Sequence, residues 1–197
     1  MREYSETELK IRDCVIQQMK TKPFYKIKAK SVADQIGIGR STFYAYYDSI
    51  FDVVQQIEDN LIPNNELDPK RASFDTPYSE LSQGVQNFIN VFVENAEVIS
   101  VLSGPNGDAR FTSKLTLRVK KLFYEFGKSK GFNDVDSKIF SEFASSGYIS
   151  SLLAYVREEN FKQMPVERFI ILQHHLQFKS FQLYKAFLDS TDDGLFK

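Results

Sequence analysis

The chain has 197 residues, 42% of them hydrophobic and 26% charged, enough to bury a sizeable core and unlike disordered or collagen-like sequences. No apolar run reaches the ~18 residues of a membrane span, and the amino-terminal MREYSETELKIRDC is too charged for a secretory h-region; the expectation is a cytoplasmic protein without membrane contact. The net charge of −1 hides an asymmetry, because residues 1–47 hold nine Lys/Arg against five Asp/Glu while the remaining 150 residues carry a net charge of −5.

In chain order, Thr7 to Met19 has Leu9, Ile11, Val15, Ile16 and Met19 in helical rhythm, and Ser5 with Glu8 forms a capping-box pattern. Cys14, the only cysteine, cannot form an internal disulfide and suits a small buried position on the inner side of this helix. Lys20 to Lys30 carries five lysines and no acid, interleaved with Phe24 and Tyr25. Such a block suits a polyanion-binding face, although a solvated loop has the same composition. A second helix, Lys30 to Ile36, stops at Gly37, and a third runs from Arg40 to Tyr47 with Phe43 and Tyr47 on one side. A fourth, at about 49–61, takes its phase from Phe51, Val54, Ile57, Glu58 and Leu61. Prolines at 63, 69 and 77 mark a linker or ordered loop.

Longer helices follow. Tyr78 to Glu94 is apolar at Leu81, Val85, Phe88, Ile89 and Phe92, and Val98 to Leu102 is a short piece before the breaker SGPNGD. Asp108 is an N-cap for a helix to about Lys128, closed by Gly131. Asp136 to Asn160 forms another, and Pro165 opens Val166 to about Leu188. No strand pattern competes, so the predicted fold is all-α with about nine helices.

Two short helices around a glycine turn, behind a longer first helix, make a helix-turn-helix. On the third helix, rotation by about 100° per residue sends Phe43, Tyr46 and Tyr47 toward the domain body and Ser41 and Ala45 away from it, flanked by Thr42 and Tyr44. Small hydroxylated residues allow close approach to DNA, with hydroxyls for phosphate oxygens and an alanine methyl for thymine.

The run VADQIGIGRSTFYAYYDS resembles the DNA-binding signature of the TetR family of bacterial regulators, with the match covering residues 7–61. The resemblance implies a three-helix DNA-binding domain at 1–48 and a helical effector and dimerisation domain at 49–197, connected by the helix at 49–61. It also implies that Arg40, Thr42 and Tyr44 touch phosphates or bases, that Ser41, Ala45 and Tyr46 choose sequence, and that Lys28, Lys30 and Ser31 contact DNA from the start of the preceding helix. Four positions depart from the pattern. Lys28 replaces a capping threonine, Gly39 a capping serine, and Asp48 and Ile50 stand where the family carries cations.

The implied function is a ligand-responsive repressor that binds double-stranded DNA as a homodimer through its last two helices; the alternative is a dimeric interaction protein with weak DNA binding. A small-molecule effector would occupy an apolar site among Phe88, Phe92, Phe111, Phe123, Phe126, Tyr148, Leu152 and Tyr155, unless these are ordinary core. Phe140, Phe143, Phe169, Ile170, Phe181 and Leu183 make the last two helices broadly apolar. No enzyme, metal site or cofactor is expected. His174 and His175 lack the spacing of a metal pair, GPNGD lacks the lysine of a phosphate loop, and Ser145, Ser146, Ser150 and Ser151 form with Ala144 and Gly147 a small-residue strip without a nucleophile motif.

Overall fold

The computed structural model describes residues 4–62, 90–158 and 163–191, and among these every regular element is helical. α1 (Glu6–Met19), a single 3-10 turn (Phe24–Lys26), α2 (Ala29–Ile36), α3 (Arg40–Tyr46) and α4 (Ile50–Leu61) come first. They are followed by α5 (Ala96–Leu102), α6 (Ala109–Ser129), α7 (Asp134–Arg157) and α8 (Val166–Thr191). Phe88 and the proline-marked segment 63–77 lie outside the described residues, as does most of the helix predicted from Tyr78; residues 90–94 are helical. Among the described residues no helix is long and apolar enough to cross a membrane.

The chain divides into two compact units, Met1–Asn64 with Asn95–Lys114, and Asn65–Glu94 with Leu115–Lys197. In the first, the capping box starts α1 as predicted: Glu8 N–H donates to Ser5 Oγ at 3.2 Å and Ser5 N–H to Glu8 Oε2 at 2.8 Å. Ile11, Cys14, Val15, Ile16 and Met19 form its buried face, which packs against α2 and α4. Each such buried aliphatic side chain contributes about 1.5–3 kcal/mol. The GPNGD turn does more than connect helices, because Asn106 C=O accepts a hydrogen bond from Phe24 N–H at 3.1 Å and so ties the turn to the 3-10 segment. A Cβ on Gly107 would lie 1.8 Å from Leu102 O, so only glycine fits there.

The second unit is built around rings. Phe140 meets Phe123 at 5.9 Å, Phe132 at 5.8 Å and Phe181 at 5.9 Å between centroids, mostly edge to face, the arrangement that aromatic quadrupoles favour. Gly131, at φ 89°, closes α6 as predicted. α7 starts earlier than Asp136: Asn133 Oδ1 accepts Asp136 N–H at 2.9 Å, so the asparagine is the cap and the acids occupy the first turn. The small-residue strip also divides. Ala144 and Ser145 are buried and Ser151 is half-buried, whereas Ser146, Gly147 and Ser150 are exposed. His174 is buried and His175 exposed, as adjacent helical residues are when one face is covered.

Candidate nucleic-acid interface

The helix-turn-helix is held from beneath. Val32 and Ala33 of α2 and Phe43 of α3 are fully buried, and Tyr47, in extended conformation just after α3, is 1% exposed. Gly37 takes φ 72°, and its N–H and that of Ile38 both reach Ala33 O, so the left-handed residue closes α2 and redirects the chain. Ser49 caps α4 by accepting Asp52 N–H at 3.1 Å. Neither Lys28 before α2 nor Gly39 before α3 supplies a side-chain cap.

On this frame Lys28, Lys30, Arg40, Ser41, Thr42, Tyr44, Ala45 and Tyr46 are all exposed, and Ser31 is half-buried. Two details differ from the sequence reading. Tyr46 is 37% exposed and does not join Phe43 and Tyr47 in the core. α3 ends at Tyr46, and the switch to extended backbone at Tyr47 breaks the helical rotation used to place these side chains. The Ser31 hydroxyl donates to Gln18 Oε1 and Lys28 O, both at 2.9 Å, while Gln18 Nε2 donates to Gln35 Oε1 at 2.9 Å, so Ser31 and Gln35 fasten α2 to α1. Within the lysine block, Lys20 pairs with Glu97. Lys26, Lys28 and Lys30 are exposed and have no ion-pair partner among the described residues.

The start of α4 is also phased differently from the prediction. Ile50 is 7% exposed and turned inward with Val53, Val54 and Ile57, whereas Phe51 is 43% exposed. The aliphatic residue at the family's lysine position is thus a core residue, and the ring beside it stands out. Phe51 borders a cleft of about 490 Å³ together with Phe24, Tyr25, Tyr44, Ile50 and Asp48. Nothing in the periodicity marked this cleft, because its walls come from the 3-10 segment, α3 and the start of α4.

Behind this surface lies a charged cluster. Arg110 places its guanidinium 4.9 Å from the centre of the Phe51 ring and pairs with Asp108 at 2.7 Å, which holds the Asp108 carboxyl below its ordinary pKa. Lys114 Nζ donates to Glu58 Oε2 at 2.5 Å and to Gln55 Oε1 at 3.0 Å. Glu58 is fully buried, and burial pushes its pKa up against the opposing effect of Lys114.

Of the residues assigned to an effector site, Phe92, Phe111, Phe123, Phe126, Tyr148 and Leu152 are buried. Phe123 and Tyr148 meet edge to face at 6.1 Å, and burial raises the Tyr148 hydroxyl's pKa. Tyr155 stacks on Phe169 at 4.2 Å and donates its hydroxyl to Met164 O at 3.0 Å. Phe111 belongs to the first unit and the others to the second.

No family model matches the sequence. The nucleoid occlusion factor SlmA of Shewanella amazonensis is 26% identical in an alignment covering 81% of this chain and 87% of that protein. Among solved structures, the dihydroxyacetone kinase operon activator DhaS shares the fold at a TM-score of 0.60 and 13% identity, covering 90% of this chain and 97% of its own. The fatty acid degradation regulator FadR of Bacillus halodurans does so at 0.58 and 15%, with the same coverage. The chain carries a helix-turn-helix signature resembling that of the TetR family, is similar along most of its length to a nucleoid occlusion factor, and shares its all-helical fold with the two solved regulators.

Proposed function

We propose that the chain is a ligand-responsive repressor that binds a pseudo-palindromic operator as a two-fold dimer, with α3 in the major groove. The observation that carries the reading is the pairing of an exposed, small-residue outer face on α3 with an exposed apolar stripe on the last two helices. Val135, Ile139 and Phe143 on α7 are 62%, 53% and 69% exposed, and Leu172, Leu176, Leu183 and Phe187 on α8 are 45% to 73% exposed. Phe140, Phe169, Ile170 and Phe181 of the same helices are buried within the protomer, so each helix has one covered face and one bare one. A bare apolar stripe of this extent fits an isologous four-helix contact between protomers, which would present two recognition helices to two half-sites. The aromatic interior supports an effector that shifts the dimer toward a spacing unfit for DNA.

Titration against DNA upstream of its own gene tests the operator reading; binding without sequence preference at about 50 mM salt would sink it. Arg40→Ala will weaken binding to all sequences and lower the salt slope by about one unit, the signature of a lost phosphate contact. Asp48→Asn acts in the opposite direction, strengthening binding about threefold by removing a negative charge close to the phosphates.

A second reading, a dimeric protein that acts through protein partners with weak DNA binding, is favoured by Asp48, which is exposed without an ion-pair partner among the described residues. Intact cellular activity in an Arg40→Ala, Tyr44→Ala double variant would select this reading.

A further inference from the structure

We propose that the cleft between the 3-10 segment, α3 and the start of α4 is a binding site for a small organic ammonium ion. Four rings border it, from Phe24, Tyr25, Tyr44 and Phe51, and its lining residues carry a single charge, the carboxylate of Asp48. Aromatic faces attract cations through their quadrupoles, and a carboxylate beside several rings adds Coulomb attraction, the combination that recognises alkylammonium headgroups. One ring already shows this chemistry: Phe51 holds the Arg110 guanidinium 4.9 Å from its centre.

The local charges set the sign of the ligand. Asp48 has no ion-pair partner among the described residues, and its N–H donates to the carboxylate of Asp52 at 3.3 Å, so two acids stand together at the start of α4. Lys26 and Lys28 neighbour lining residues in the chain, but neither lines the cleft, whereas Asp48 does. An anion would meet Asp48 directly, and a neutral hydrocarbon would gain nothing from it. The cleft's volume of about 490 Å³ lies within the range of small-molecule sites and admits a headgroup with a short chain.

Tyr44 belongs both to this cleft and to the DNA-facing set, so an occupied cleft competes with DNA; this regulatory half rests on the operator reading, whereas the site itself does not. The test is calorimetric titration of the full chain, without DNA, using choline and its neutral isostere 3,3-dimethylbutan-1-ol. The expected result is saturable choline binding about tenfold tighter than that of the isostere, with Asp48→Asn removing most of the preference and Tyr25→Ala weakening choline about threefold. Both substituted residues are exposed, so the variants keep the fold. Equal binding of the two compounds, no saturation by about 50 mM choline, or an unchanged Asp48→Asn variant overturns the site. Tighter binding of butylguanidinium than of choline overturns it in favour of an arginine supplied by a partner protein. In a separate DNA titration, choline is expected to weaken binding by the parent but not by Asp48→Asn; an unmoved parent overturns only the competition.

Discussion

With the proposed two-fold contact on α8, replacing Leu176 and Leu183 together by aspartate will turn the dimer into a monomer, and affinity for the proposed operator will fall by about two orders of magnitude or more. The two leucines are 53% and 73% exposed on α8 and stand seven residues apart, two turns along one face. In a two-fold contact every substitution counts twice, so the change removes four leucines from the interface at about 1.5–3 kcal/mol each and introduces four carboxylates that would have to be desolvated. Because both positions are bare in the protomer, the fold is expected to survive, and helical circular dichroism should match the parent. Sedimentation velocity reads the association state, and operator titration reads the loss of two-site binding. A variant that sediments as the parent does would remove α8 from the interface.

The second large effect concerns stability. Lys114→Met removes the cation that faces the buried Glu58 carboxylate, whose Oε1 has no hydrogen-bond partner among the described residues. Breaking a buried pair from one side costs about 3–5 kcal/mol, and with Lys114 a third exposed the lower figure is the better guide. Burial raises the folded-state pKa of Glu58 above its ordinary 4.5, and Lys114 opposes that rise. The folded protein therefore holds this proton to higher pH than the unfolded chain does. The associated stability is fully present below the unfolded pKa and is lost as pH rises through the folded one. Without Lys114 the folded pKa moves further up, which lengthens the pH range over which stability falls. Urea midpoints should show a larger deficit for Lys114→Met at pH 7 than at pH 5, and Glu58→Gln in the same chain should recover part of it. Equal deficits at the two pH values would separate the effect from this ion pair.

Local signals carried the helix-turn-helix well. Ser5 with Glu8, Gly37 and the Phe43–Tyr47 spacing act through neighbouring backbone, and the structure shows the capping box, the left-handed closure and the two buried rings. Elsewhere the fold decided. Periodicity alone put Phe51 on the inner face of α4, but Ile50 and Val53 occupy it, and the ring instead meets Arg110 from a segment far along the chain. Lys20 belonged by composition to a cationic block, yet Glu97 on α5 claims it. Apolar content marked the last two helices as sticky without separating Phe140 from Phe143, because that division depends on which neighbour covers each face. Glu58 and Lys114 are 56 positions apart, and nothing in either's local sequence announces the pair. The aromatic cleft was hidden for the same reason, since three separate segments supply its walls.

The single thiol has a practical consequence. Cys14 is 5% exposed on the inner face of α1, and burial raises its pKa, so in the folded chain it is poorly ionised and out of reach of reagents. A disulfide reagent can therefore attack only when α1 lifts away from α2 and α4, and with one cysteine in the chain every modification event reports that opening. The labelling rate becomes a built-in clock for the loosening of the first compact unit, needing no introduced probe, and any ligand that steadies the unit should slow it.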